Sequence, residues 1–505
     1  MRNYFGKIHD MKSTPPVRVA LLVSLAALLT GVTFATLPAL AGAVNISFAA
    51  NLPGQPEVRP AVTVVDFGAR GDGTTLSTES VQKAIDSVAG QGGGTVRIPA
   101  GKYLIGTIQM KSGVTLDLDK EATLLGSLRA VDYPSLGGMR DGCGSMNDRV
   151  LINAANVQNI GITGSGTIDG QGPLNPNLTP RPFLLRIQEC RNVKLSGVTL
   201  ARSQKWTCHI WNSDQVAVTG VTIQKNPHGH NNDGIDIDSS RDVTIKDCHI
   251  TSEDDALCFK ATVDKPCKNI LVTGCTMNTS WNGFKIGTES VGDFEDITMT
   301  DCTFERNANG GIRIYSVDGA NIRRIRVENI NVRDTSLPIY IRLGARLSVF
   351  RKGDRSKTCG SISDITIKNI HGKTHGAGAV FITGIPGHPV RSVTIENVGF
   401  RIPGGDDGKN LSKPLAEREN AYPEPYTIFG PLPAYGLLLR HVEGCKIDKM
   451  EVTCTKPDQR HAVTCIDAKD VRLEKTSFIN PSTSAASPLQ LEACKPEDIR
   501  WDGKR

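Results

Sequence analysis

The chain has 505 residues, a formal charge of +6, 51 glycines, 5% aromatic residues and 22% charged residues. Charge this close to balance, for this length, gives no reason to expect nucleic acid as a partner and leaves an acidic polysaccharide open. Frequent glycine and many short Val/Ile/Thr runs point away from helices, toward all-β structure with frequent turns.

Residues 1–41 read as an export signal. Lys7, Lys12 and Arg18 precede the apolar run "VALLVSLAALLTGVTFATLPALA", and Ala39-Leu40-Ala41 offers a small-residue cleavage site. The competing reading is an uncleaved anchor, because the run approaches the ~20 residues that span a bilayer. Cleavage removes four Lys/Arg and one Asp and leaves a charge of +3. The expected location is periplasmic or extracellular, with no membrane contact after cleavage. Residues 42–59 read as a linker, and 60–480 as one long domain.

The segment "STESVQKAIDSVAG", 77–90, carries a helical pattern, with Ser77 placed to cap it and Val81, Ile85 and Val88 on one face. "GGGTVRIPAGKYLIG" then opens a run of short strands. From there a phrase repeats: "VAVTGVTI" from Val216, "VTIKDCHI" from Val243, "ILVTGCTM" from Ile270, "ITMTDCTF" from Ile297 and "IRVENINV" from Ile325. The intervals are 27, 27, 27 and 28 residues, and weaker copies begin at Ile160, Val193, Ile365 and Val393. Each unit holds a second alternating segment: "GIDID", "ALCFK", "GFKIG" and "GIRIY".

Such units cannot bury an apolar side alone, but stacked they join their inward residues into continuous columns. The pattern predicts a right-handed parallel β-helix, a solenoid rising ~4.8 Å per coil, with the 77–90 helix covering its exposed first strands. Cys248, Cys275 and Cys302 recur at 27-residue spacing in one slot, so the column reads as packed thiols rather than disulfides. The 13 cysteines form no CxxC pair, which argues against zinc. Residues 344–364 and 401–436 break the period and read as long loops. The chain after 480 reads as a tail with little to pack.

One stretch carries the chemistry: "HNNDGIDIDSSRDVTIKDCHITSEDDALCFKA", residues 230–261. Aligned on the second strand, Asp233, Asp255, Asn282 and Gly310 share a slot in four successive coils. Asp254 shares the preceding slot with Asn232, Trp281 and Asn309. One outward column holds Asp236, Cys258, Lys285 and Arg313, and the next holds Asp238, Lys260, Gly287 and Tyr315. Asp233, Asp254 and Asp255 are thus expected in one patch, where like-charge repulsion keeps a proton on at least one of them. An acid that can donate, beside carboxylates that can orient water, is equipment for cleaving a glycosidic bond. Arg313 is expected to bind the sugar beside the break. A single Asp at a solenoid turn is more often structural, and an acidic column can bind calcium; three acids with an arginine favour catalysis. His209, His228 and His230 read as turn or surface residues.

At these residues the chain resembles the polygalacturonase family, glycoside hydrolase family 28, of the pectin-lyase-like β-helix superfamily. "VVDFGARGDGTT", "GGTVRIPAGKY" and "GSGTIDGQG" look like that family's opening phrases. "NNDG" at 231–234 matches its Asn-Thr-Asp motif with Asn232 for threonine, and "EDDA" at 253–256 matches its Asp-Asp motif. The resemblance implies Asp254 as general acid, with Asp233 and Asp255 holding and activating water. It implies inversion at the anomeric carbon without a metal or cofactor, by a monomer acting on a pectic polysaccharide or oligosaccharide. Asn231, Asn282, Lys285, Arg313 and Tyr315 fall among the expected substrate-binding residues. Two positions depart from the pattern. "WNG" puts Asn282 where the family has histidine, and "RIY" puts Tyr315 where it has lysine. Lys285, one coil before Arg313, is the expected replacement for the missing positive charge. A β-helix lyase or epimerase, and a non-catalytic carbohydrate-binding β-helix, are the competing classes.

Overall fold

The structure, a computed structural model, describes residues 60–502 apart from 142, 143, 145, 352, 353, 355, 356 and 482–485. The export signal and linker, 1–41 and 42–59, lie outside the described residues. Among those described, no helix is long and apolar enough to cross a membrane.

From Ala61 to Trp501 the chain winds as a right-handed parallel β-helix, its strands pairing in parallel with their counterparts in the adjoining coil, apart from a small antiparallel pair, Met139–Arg140 with Met146–Asn147. The repeated phrase forms one column. Ile160, Val193, Val216, Val243, Ile270 and Ile297 stand in successive register, followed by Ile325, Ile365 and Val393. All nine side chains are buried. Branched residues suit the pleated parallel surface, and each buried Val or Ile stabilises by about 1.5–3 kcal/mol. The column continues beyond the weak copies through Cys445, Val471 and Ile499.

Asn and Asp recur ahead of these strands because one residue there takes the left-handed conformation. Asp242, Asn269 and Asp296 have φ of 55°, 54° and 55°, which Asn and Asp tolerate better than other side chains. Side-chain amides then link coils: Asn369 donates to Asn329 at 2.9 Å and Asn397 to Asn369 at 2.8 Å. The cysteines described are free thiols. Cys275 Sγ accepts from the Cys248 amide at 3.5 Å, and Cys302 Sγ from the Cys275 amide at 3.4 Å.

The N-terminal helix spans Thr78–Gly90 and buries Val81, Ala84, Ile85 and Val88. Ser77 holds the N-cap position without capping through its side chain. Its buried hydroxyl instead accepts from the Arg70 amide at 3.0 Å. The tail reading is also corrected. Leu489–Glu492 and Ile499–Trp501 pair with the strand His461–Glu474, and Trp501 Nε1 donates to Thr476 at 2.7 Å.

The two long loops, 344–360 and 403–433, pack on each other. The Ala345 amide donates to the Glu419 carbonyl at 2.7 Å. Arg342 and Arg440 donate to the carbonyls of Glu417 and Leu415 at 2.7 and 2.9 Å. A short helix, Pro425–Phe429, lies within the second loop.

Candidate active site

The stacking expected of the acidic stretch is present. Asp236 pairs with Cys258, Cys258 with Lys285 and Lys285 with Arg313 in successive coils. One turn earlier, the Gly234 amide donates to the Asp255 carbonyl at 2.9 Å, and the Asp254 amide to the Asn232 carbonyl at 3.2 Å. Asp233, Asp254 and Asp255 therefore line one cleft of about 280 Å³, together with Lys260, Lys285, Glu289, Trp206, Trp281 and Tyr422.

Asp255 is 1% exposed and accepts on both oxygens. Asn282 Nδ2 donates to Oδ1 and Lys285 Nζ to Oδ2, each at 2.7 Å. That leaves Asp255 oriented from below and behind. Asp254 is half-buried, and its Oδ1 accepts from the Asp255 amide at 2.9 Å. Burial first, then the neighbouring Asp255, pushes its carboxyl up to about 6. A carboxyl so placed can give up a proton near neutral pH.

Asp233 lines the cleft, and Asp236 lies fully buried beside it. Lys260 Nζ lies 3.8 Å from Asp233, 3.5 Å from Asp236 and 3.2 Å from Glu289, and 4.5 Å above the Trp206 ring. One ammonium thus serves three buried carboxyls. Burial, followed by the charges of Asp236 and Asp254, holds Asp233 well above the carboxylate range. Asp236 is raised to about 8, again chiefly by burial. The two neighbours titrate together, so the retained proton belongs to the group rather than to either residue. The expected cause, mutual repulsion, is corrected to second place behind desolvation.

The same atoms bear on calcium. One oxygen each of Asp233 and Asp255 and the Cys258 sulfur lie within 4.8 Å of one another. The set does not suit a hard cation, which wants six to eight oxygens. Cys258 donates to the Gly287 carbonyl at 3.2 Å, Lys285 already holds Asp255, and Lys260 adds a second positive charge beside Asp233.

Several expected residues behave differently. Arg313 does not reach the cleft: it is fully buried and donates to the carbonyls of Leu337 and Asn309, each at 2.7 Å. Tyr315 is likewise fully buried, in an apolar cluster with Leu337, Tyr340, Phe381, Ile428 and Phe429. Both corrections share one cause, because the second long loop lies over their columns. Asn282 has no exposed surface, and its amide is spent on Asp255. Lys285 and Asn231 do line the cleft. Lys285 is paired with Asp255, and Asn231 Oδ1 accepts from Arg181 at 3.2 Å. Asn232 is buried and braces the turn, accepting from the Asn226 amide at 2.8 Å and donating to the Lys205 carbonyl at 3.0 Å. His228 and His230 are exposed as read. His209 is not: it is buried on a strand, 3.3 Å from Asp238, with Trp206 and Trp211 around it.

Lys260, Asp236, Glu289, Trp206 and Tyr422 were not among the expected site residues. Lys260 and Asp236 stand in the outward columns already recognised, so strand alternation alone could have found them. Glu289 lies past a register shift that follows Phe259 and Ile286. There Gly287 takes φ +89°, and an added Cβ would stand 2.7 Å from the Tyr315 carbonyl. Tyr422 arrives from the second loop and places its hydroxyl 3.4 Å from Lys285. No local pattern announces it.

Residues 91–415 match the model of glycosyl hydrolases family 28. Residues 61–119 match rhamnogalacturonase A/epimerase, pectate lyase-like. A probable polygalacturonase of Vitis vinifera is 32% identical over 300 residues, covering 54% of this chain and 60% of that protein. An endo-polygalacturonase of Pectobacterium carotovorum subsp. carotovorum is 30% identical over 374 residues, covering 68% of this chain and 88% of that protein. Among solved structures, a hyperthermoactive exopolygalacturonase from Thermotoga maritima shares the fold, with a TM-score of 0.60 at 24% identity. The match covers 68% of this chain and 87% of that one. The protein is therefore a glycoside hydrolase. The chain is a member of glycosyl hydrolase family 28.

Proposed function

We propose that this chain is an exported enzyme that hydrolyses α-linked pectic galacturonate chains with inversion, using Asp254 as general acid and Asp255 with Asp233 to hold and activate water. The observation that carries the reading is Asp254, a carboxyl raised to about 6, at the mouth of a cleft whose floor holds the other two acids. The names of the relatives, polygalacturonases of plant and bacterium, supply the substrate class. Export rests on the basic-then-apolar pattern of residues 1–41.

In the reaction the bond between the anomeric carbon and the leaving oxygen breaks, and that oxygen takes the Asp254 proton. A water between Asp255 and Asp233 attacks the anomeric carbon from the opposite face and gives its proton to Asp255. Lys285 and Asn282 keep Asp255 turned toward that water. Of the three Lys285 hydrogens, Asp255 and Tyr422 take two, and the third suits a substrate carboxylate.

The test is a panel of pectin fragments assayed for new reducing ends, with Asp254→Asn as control. Hydrolysis that falls by about 10²–10⁴-fold in the variant supports the reading. A product absorbing as an unsaturated uronate would make the protein a lyase, and binding without turnover would make it a lectin-like β-helix.

A further inference from the structure

Resting on the hydrolytic reading above, we propose that the substrate groove has one open end, so that the enzyme takes a chain by its non-reducing terminus and releases single sugars. The two flanks of the cleft carry this. Beside the cleft, across the same three coils, Asn231, Asp254 and Trp281 line both it and an adjoining hollow of about 370 Å³. That hollow shares Gly229 and His230 with a further one of about 620 Å³, reaching Arg181. Shared lining residues thus lead stepwise from the cleft to the N-terminal coils of residues 176–181, the side we take as open. Trp281, 38% exposed, offers a flat apolar face there, of the kind on which a sugar ring stacks.

Toward the C-terminal coils the way is walled. Tyr422 stands in the cleft against Lys285. In the next two coils the row that held Asp254 and Trp281 is crossed by the same loop. Glu424 accepts from Asn309 at 2.9 Å, and the Tyr426 hydroxyl lies 3.4 Å from Ser336. The first loop braces this wall. Arg346 packs on the rings of Tyr422 and Phe350 at 6.0 and 5.8 Å, and Asp318 accepts from it at 2.9 Å. Beneath the wall Arg313 and Tyr340 have no exposed surface.

Polarity follows from where the acids sit. Asp233 and Asp255, which hold water, line the walled chamber only, whereas Asp254 lines both chamber and open groove. The sugar attacked at its anomeric carbon therefore occupies the chamber, and the oxygen that takes the Asp254 proton leads into the groove. The bound unit is the non-reducing terminus, and its far side abuts Tyr422. At about 280 Å³ the chamber is near the lower limit of ligand pockets, which suits one ring.

The experiment uses three α-linked galacturonate hexamers: unmodified, reduced to the alditol at the reducing end, and carrying a 4,5-unsaturated ring at the non-reducing end. Early products are separated by anion-exchange chromatography. Monomer and pentamer as the sole first products, an unaffected rate on the alditol and at least a tenfold slower rate on the unsaturated hexamer are expected. An early ladder of dimers, trimers and tetramers overturns the inference while leaving hydrolysis standing. A block by the alditol, with the unsaturated hexamer still cleaved, overturns its direction. No cleavage of any hexamer by folded protein overturns the hydrolytic reading, and this inference with it.

Discussion

One outward column of the β-helix lives two lives. Through three coils it carries Asp236, Cys258 and Lys285, the last of them lining the cleft; two coils beyond Lys285 it carries Tyr340, followed by Phe381 and Leu438. Backbone register is the same in both stretches, and every one of these side chains is buried. The difference lies in the cover. Ile428, Phe429 and Leu432 of the second loop pack on the aromatic stretch and turn an outward face into a second core. Among the described residues the charged stretch meets Tyr422 of the same loop at Lys285 rather than an apolar cluster, and buried carboxyls and ammoniums compensate one another. A solenoid's outward face is thus neutral ground, and its loops decide whether it becomes site or core.

The sharpest way to break the comparison is at the charged end. Asp254→Asn is expected to lower kcat on the best pectin fragment by about 10²–10⁴-fold with unchanged circular dichroism, because it removes the proton donor and little else. Lys260→Met takes away a cation that lies within 3.8 Å of Asp233, Asp236 and Glu289 alike. Leaving buried charge uncompensated costs about 3–5 kcal/mol in urea unfolding. The same variant should carry the falling limb of the pH–rate profile to higher pH, since Lys260 lowers Asp254, the proton donor.

At the aromatic end, Phe381→Ala should cost about 3–5 kcal/mol as a plain core cavity. Unlike Lys260→Met it should leave the pH profile where it is; a shifted profile would show that the two stretches are not independent.

The pH dependence of stability sharpens the same contrast. Asp236 is raised to about 8 in the folded chain, so the folded state binds more protons than the unfolded one between about pH 4 and pH 8. Its contribution to stability therefore falls as pH rises through that window. Asp236→Asn should flatten the decline in Tm, and an equally steep decline would count against the assignment. The smallest effect is expected away from both stretches. Asn369→Ala removes a coil-to-coil amide link at a left-handed position and should cost about 1–2 kcal/mol with unaltered activity.

What could be read before the structure divides along the same line. The 27-residue phrase and strict alternation specify inward columns and slot membership, so the meeting of Asp233, Asp254 and Asp255 was legible from residue types alone. Slot membership does not say what lies above a residue. Arg313 and Tyr315 share a column with true cleft residues, yet the loop that buries them comes from about a hundred residues later and carries no periodic signal. Tyr422 escaped notice for the same reason. Glu289 was hidden by the register shift at Gly287, where counting by twos fails. The last two strands, Leu489–Glu492 and Ile499–Trp501, were missed because the Ser/Pro-rich stretch after 480 interrupts the alternation ahead of them.

The most direct test of the shared carboxylate chamber is proton NMR of the first product formed from an α-linked galacturonate oligomer, before mutarotation. The chamber predicts the β-anomer, with a rate that declines as pH rises past about 6 and Asp254 loses its proton. The α-anomer, or a first product whose rate ignores that titration and survives Asp254→Asn, would contradict it.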